Sequence, residues 1–480
     1  KNVIQNDRGI NYQVLGFIDD NDSKVGKTIE GIRVFNLAEA LDKFVDTYEG
    51  LQVIMAIKNI NIQAKRKISD VFLDRGVVVK TLPPVDKWVG GEFAINQIHN
   101  VKIEDLLGRK PIDLNQDKIA SAISNQVVLV TGAAGSIGSE IVRQLIKFNP
   151  QLIILNDIAE SPLHEMQLEL QDNSLTNNFI AFIGDVKNEN RMESMFETFK
   201  PHFVYHAAAY KHVPMMEKNP CEAICTNVGG TKIMADLSVK YQVEKFVMVS
   251  TDKAVNPTNV MGASKRIAEI YVQSYFKYLE KQNVNQTNGG VVKTKFITTR
   301  FGNVLGSNGS VIPRFKAQIQ KGGPITVTHP DITRYFMTIP EACRLVLEAG
   351  SMGKGGEIFI FDMGQSVKIV ELAKKMIKLS GLIPNQDIQI EFTGLRPGEK
   401  LYEELLNDTE NTLPTHHEKI MIAQVRTYEF ESVKKNVKDL IHLACHYQDH
   451  DVVKSMKTMV PEFKSKNSIY EELDILEPVV

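Results

Sequence analysis

The hydrophobic positions of the chain fall into two successive series in which short β-branched runs alternate with stretches of helical periodicity. In the first, Gln13 to Ile18, Val53 to Ala56 and Val77 to Thr81 are rich in strand formers. Apolar residues recur at helical spacing over Leu37 to Val45 and Ile62 to Leu73. Such alternation predicts a small parallel α/β domain over residues 1–111. No glycine-rich turn follows its first strand, so the expectation is a truncated Rossmann-like domain with a regulatory or packing role and no cofactor of its own.

The second series begins near Asn125. Strands are predicted at Val127 to Val130, Leu152 to Leu155, Phe179 to Ile183, Phe203 to His206, Phe246 to Ser250 and Phe296 to Arg300, most of them separated by helix-length segments. This is the pattern of an α/β fold with a doubly wound parallel sheet, and residues 112–322 read as its dinucleotide-binding domain. The polar stretch Gln282 to Gly290 reads as a loop. Beyond Gly322 the pattern becomes irregular and then mostly helical, which suits a smaller substrate-capping region over 323–480. Internal repeats and heptads are absent.

Composition narrows the function classes. A chain of 480 residues exceeds one hydrophobic core. Its apolar fraction of 43%, charged fraction of 24% and net charge of -2 are those of a soluble globular protein, without the basic surface of a nucleic-acid binder. The 4 cysteines follow no disulfide framework and point to a reducing, cytoplasmic setting. Cys221 and Cys225 lie four apart in a predicted helix with no second pair nearby, so they read as buried thiols and no metal site is expected. His416 and His417 read as surface residues. No apolar run approaches the roughly 20 residues that span a bilayer.

Candidate chemistry gathers in the second series. Thr131-Gly-Ala-Ala-Gly-Ser-Ile-Gly138 lies between an apolar strand and a helix. There Gly132 suits a tight turn, Gly135 an approach to a pyrophosphate, and Gly138 close packing of helix on strand. The following helix N-terminus offers free N–H groups to an anion. Asp157 ends the next strand about 20 residues on, where a carboxylate accepts from ribose hydroxyls and repels a ribose phosphate, which favours NAD over NADP. Asp185-Val186 ends the third strand, facing the adenine or, equally on spacing, capping a helix. The fifth strand runs into Thr251-Asp252-Lys253, either a reactive cluster or a solvated ion pair. Met261 and Lys265 share one face of the next helix.

These motifs, with His206-Ala-Ala-Ala-Tyr-Lys-His-Val-Pro214, Arg300-Phe-Gly-Asn303, Thr338 and Arg396-Pro-Gly-Glu-Lys400, resemble the extended short-chain dehydrogenases. The similarity is specifically to their polysaccharide-biosynthesis branch of UDP-N-acetylglucosamine 4,6-dehydratases, from about Asn125 to Lys400. The preceding domain is similar to the N-terminal extension of the long members, which are anchored to the inner face of the bacterial cytoplasmic membrane. Most of the superfamily carries Tyr where this chain has Met261, and a thioether does not transfer protons. The long dehydratases also have Met there.

The resemblance implies a UDP-sugar substrate, bound NAD and a homo-oligomer. Gly132, Gly135, Ser136, Ile137, Gly138, Asp157, Asp185, Val186, Ala207, Ala208 and Lys265 would surround the dinucleotide. Thr251, Asp252, Lys253, Met261 and Lys265 would form the catalytic set. Lys253 would be a neutral base at C5, Asp252 an acid at O6, and Thr251 a partner of O4. Lys211, His212, Asn227, Arg300 and Asn303 would meet the sugar and diphosphate; Arg314, Arg334 and Arg396 the pyrophosphate or nucleotide; Glu399 the uridine ribose. If both Asp252 and Lys253 reach one substrate, the chain must leave strand geometry after Ser250, because consecutive strand residues point to opposite faces. The alternatives are a C5-inverting dehydratase, an epimerase of the same fold, and a non-catalytic NAD-binding regulator in which Met261 records lost activity.

Overall fold

In a computed structural model, described over residues 13–45, 47–57, 60–82, 99–101, 103, 116–172, 178–285, 293–404 and 411–474, alternate residues of one strand feed two different cores. Val127 and Leu129 join Ile154, Val204, Phe246 and Met248 on one face of a sheet. Val128 and Val130 join Ile153, Leu155, Tyr205 and Val247 on the other. A strand buried on both faces must be apolar at every position, which is why these segments read as continuous runs rather than alternations.

Among the described residues the sheet has 9 strands. In chain order they are β1 (Val127–Thr131), β2 (Leu152–Asp157), β3 (Phe179–Ile183), β4 (Phe203–His206), β5 (Lys245–Thr251), β6 (Lys295–Phe301), β7 (Ile358–Phe361), β8 (Asn411–Pro414) and β9 (Ile420–Gln424). Their spatial order is β8-β9-β7-β6-β5-β4-β1-β2-β3. From β3 to β7 all neighbours are parallel, whereas β9 runs antiparallel to both β7 and β8. The strand order reverses between β1 and β4, and the carboxyl ends at that point form the crevice where such folds bind ligands. All six strands expected in the second series are present. β7 and β9 correct the reading of residues beyond 322 as irregular and then helical. Ile358-Phe-Ile-Phe361 is too short to show periodicity, yet it is fully buried beside β6.

Three helices matter for the site: α1 (Ser136–Leu145), α2 (Val260–Asn285) and α3 (Ile339–Met352). α2 runs to Asn285, through the start of the stretch read as a loop over Gln282 to Gly290, and 286–292 lie outside the described residues.

The chain divides into two units. The larger comprises 111–313, 327–369 and 392–480 and contains the whole nine-stranded sheet. The smaller comprises 1–110, 314–326 and 370–391. In it Gln52–Met55 and Val78–Thr81 pair in parallel, with the helix Ile62–Leu73 between them. Asn36 and Asn61 cap its helices through the amides of Glu39 and Ala64. Of the run Gln13 to Ile18, only Phe17–Ile18 is strand. Lys375 bonds Asp70 at 2.9 Å, so residues from the predicted capping region belong to this unit, not to a separate one. The predicted boundary at 111 falls outside the described residues, and residues following 322 supply strands to the main sheet.

Candidate active site

The turn between β1 and α1 is built by its glycines. Gly132 has a φ of +65°, and a Cβ there would stand 2.7 Å from the Ala208 amide nitrogen. At Gly138 a Cβ would lie 2.1 Å from the Gly132 carbonyl, so this glycine closes the turn on itself rather than packing helix on strand. Gly135 caps α1 without any side-chain bond to the first-turn amides, which leaves those N–H groups for an anion. Ser136 Oγ accepts from the Asn308 amide, and Ile137 forms the first turn of α1. The Ala207 amide donates to the Thr131 carbonyl, tying the exit of β4 to the turn.

Asp157 belongs to the same assembly. Its carboxylate accepts from the Ala134 amide at 3.0 Å and the Ala159 amide at 2.9 Å. Asp185 accepts from the Lys187 amide, and the helix that follows is capped by Asn188, which corrects the capping alternative for Asp185. Val186 packs under Gly230, where a Cβ would meet its Cγ2 at 2.7 Å. His206 is fully buried between the hydroxyls of Thr131 and Thr231, at 2.8 and 3.0 Å. Burial, then Lys265, pushes it down to about 3, so the ring is neutral.

β5 ends at Thr251 and gives way to a tight turn over Asp252–Ala254, one residue later than the sequence argument required. That departure brings two consecutive side chains together. Asp252 Oδ1 accepts from Thr251 Oγ1 at 2.9 Å and from Lys253 Nζ at 2.9 Å. Asp252 is only 1% exposed, and its Oδ2 has no hydrogen-bond partner among the described residues. Lys253 Nζ also donates to Asn303 Oδ1 at 3.0 Å and lies 3.6 Å from Glu403. Burial pulls the amine down, but Asp252 and then Glu403 outweigh it and hold it above the ordinary lysine value. The expectation of a base already neutral through burial is therefore corrected: the amine rests as an ammonium in an ion pair.

α2 is locked against this turn. Asn259 accepts from the Gly262 amide, and Glu217 from that of Val260. Met261 is buried in the core, and Lys265 follows one turn later, also buried and pushed down to about 8 by desolvation, with Glu269 opposing.

The residues expected at the sugar and diphosphate separate into groups. Lys211 and His212 are both pulled down by burial, and His212 also by Lys211 and Arg396. These three basic groups therefore share one neighbourhood. The Arg396 guanidinium bonds Glu399 at 3.1 Å, and Arg334 reaches Glu399 at 3.4 Å. Asn303 sits with Lys253 rather than among the basic groups.

Three residues fall elsewhere. Asn227 is fully buried and clamps Tyr210 through both its backbone groups, with a further bond to Ser264. It shapes the loop that carries Lys211 instead of facing a ligand. Arg300 is 1% exposed and bidentate on Glu269, at 2.8 and 2.6 Å, so it has no surface to offer a phosphate. Arg314 belongs to the smaller unit, where it donates to Thr326. Thr338 caps α3 through the Glu341 amide. Glu403, missed from the sequence, follows the Arg396 to Lys400 motif in an ordinary acidic run, and only its burial distinguishes it.

A model of the family described as polysaccharide biosynthesis protein matches residues 128–425. The chain belongs to this family. Over 427 residues it is 48% identical to the capsular polysaccharide biosynthesis protein CapD of Staphylococcus aureus, covering 88% of this chain and 69% of that one. A UDP-glucose 4-epimerase of Rickettsia canadensis is 36% identical over 60% of this chain and 79% of its own. The solved structure of Pen from Bacillus thuringiensis superimposes with a TM-score of 0.57 at 33% identity, covering 64% of this chain and 90% of that one. The family match agrees with the resemblance to the extended short-chain dehydrogenases, and the relatives include a UDP-glucose 4-epimerase. Among the described residues no helix is long and apolar enough to cross a membrane.

Proposed function

We propose that the protein is a UDP-N-acetylglucosamine 4,6-dehydratase, yielding the UDP-4-keto-6-deoxy sugar with the C5 configuration retained, for surface polysaccharide or glycoprotein sugars. The observation that carries this reading is the Thr251–Asp252–Lys253 cluster around the buried Asp252, an acid and an amine joined through one carboxylate oxygen. A regulator or scaffold has no use for such a pair, whose burial costs free energy.

The residues of the glycine-rich turn fit NAD. The first-turn amides of α1 are uncapped, and Asp157 stands fixed beside the turn with carboxylate lone pairs to spare for ribose hydroxyls. Its charge disfavours a ribose phosphate. When bound, NAD supplies the chemistry of accepting hydride from sugar C4 and returning it to C6. Lys265 would bind the nicotinamide ribose.

Oxidation at C4 acidifies C5, and elimination then needs a base at C5 and an acid at O6. The Asp252–Lys253 ion pair is one proton transfer away from a neutral pair that supplies both. Because Asp252 is almost wholly buried, Thr251 Oγ1 is its outlet toward O4 and O6. Lys253 takes the C5 proton and gives it back from one face, which retains configuration. Lys211, His212 and Arg396 suit the diphosphate.

Proton NMR of the product formed from UDP-N-acetylglucosamine tests the reading. A C6 methyl signal with C5 retained is expected. An epimer bearing its C6 hydroxyl, or no product despite bound NAD, would overturn it.

A further inference from the structure

The dehydratase reading leaves one proton unplaced. Oxidation at C4 releases the O4 proton, and Met261 stands where a Tyr would receive it. Thr251 can pass that proton to Asp252 Oδ1. Lys253, however, already carries one, and elimination requires a protonated Asp252 beside a neutral Lys253. The pair would then hold one proton too many.

Glu403 stands where that proton can go. Its carboxylate lies 3.6 Å from Lys253 Nζ on one side and 3.6 Å from Arg334 Nε on the other. Its side chain is 3% exposed, and Oε2 is buried without a hydrogen-bond partner among the described residues. Among the described residues, Lys253 and Arg334 are the charges that pair with it. Lys400 is turned to the Val255 carbonyl and to Glu404, and Glu399 reaches it only through Arg334. Resting on the dehydratase reading, we propose that Glu403 holds the proton of Lys253 during elimination and so closes the proton cycle that Met261 leaves open.

The cycle balances. As C4 is oxidised, for which a bound dinucleotide would accept the hydride and later return it to C6, the O4 proton moves through Thr251 to Asp252. A Lys253 N–H bond breaks and a Glu403 O–H bond forms. Lys253 takes the C5 proton while the C6–O6 bond breaks, and Asp252 gives O6 its proton, releasing water. Hydride arrives at C6, Lys253 reprotonates C5, and Glu403 returns its proton to Lys253. The resting charges are restored with no proton drawn from solvent. Arg334 and Glu399 hold Glu403 in place throughout.

The test is the pH profile of kcat for the full chain with UDP-N-acetylglucosamine, comparing wild type, Glu403→Gln and Glu403→Asp. Wild type is expected to be flat around neutrality. Glu403→Gln should lose at least about tenfold in kcat at neutral pH, with KM within about twofold, because Lys253 must now shed its proton to solvent. Its kcat should then climb with pH, and Glu403→Asp, which keeps the carboxylate, should keep the wild-type profile at reduced kcat. An unchanged kcat in Glu403→Gln, or a loss equal at every pH, overturns the proposal. If Glu403→Gln does not fold, Glu403→Asp decides: reduced kcat with the wild-type profile is expected, while wild-type kcat, or a sloping profile despite the retained carboxylate, would overturn the proposal. Absence of 4-keto product from the wild type would instead overturn the dehydratase reading itself.

Discussion

The α-carbon of Gly262 lies against the carbonyl of Lys253, so closely that a Cβ at position 262 would stand 2.1 Å from that oxygen. The start of α2 and the turn bearing the reactive pair are thus one rigid body. Gly262→Ala must push them apart, and a destabilisation of about 1–3 kcal/mol is expected from overpacking. Thermal unfolding would show this, and kcat should fall more than a change of stability explains. A variant with wild-type kcat would separate the helix from the chemistry.

Lys253→Met keeps the bulk of the side chain and removes the proposed base. Loss of about 10²–10⁴ in kcat is expected. Oxidation at C4 precedes the proton transfer at C5, so substrate should still raise the absorbance of reduced cofactor in this variant. Dehydration at an undiminished rate would remove Lys253 from the mechanism.

Arg396→Ala tests the basic cluster. A charge-assisted hydrogen bond contributes about 1.5–3 kcal/mol, so KM should rise by roughly 10- to 100-fold. UDP alone should lose affinity in parallel, as titration calorimetry would report. Equal binding of UDP by both proteins would place the diphosphate elsewhere.

His206 makes stability depend on pH. Its folded value, about 3, lies below the ordinary 6.5, so the unfolded chain binds a proton that the folded one refuses. The stabilisation is complete above pH 6.5 and is lost as pH falls toward 3, by up to about 1.4 kcal/mol per unit. The melting temperature of wild type should therefore drop more steeply from pH 6.5 to 5 than that of His206→Gln. Parallel curves would mean that the buried ring titrates with its surroundings.

The parts of the fold that could be read from the chain alone were those whose local pattern and final environment agree. β1, β2 and β4 read as apolar runs because both their faces are covered, and the glycines between β1 and α1 mark a turn whose closeness only glycine permits. Reading failed where partners come from distant sequence. Nothing local tells Arg300, bound to Glu269, from Arg396, which is half exposed. Asn227 looks like a polar group awaiting a ligand until both ends of its amide are found on Tyr210. Glu403 acquires its meaning only from Lys253, which lies 150 positions earlier in the chain.

Asp252, Lys253, Glu403, Arg334, Glu399 and Arg396 form a row of alternating charges that ends at the open guanidinium of Arg396. Substitutions along it should therefore be non-additive, since removing any one charge leaves its neighbours in the row mismatched. Anyone retuning this enzyme toward another nucleotide sugar would do better to exchange opposite charges together than one at a time.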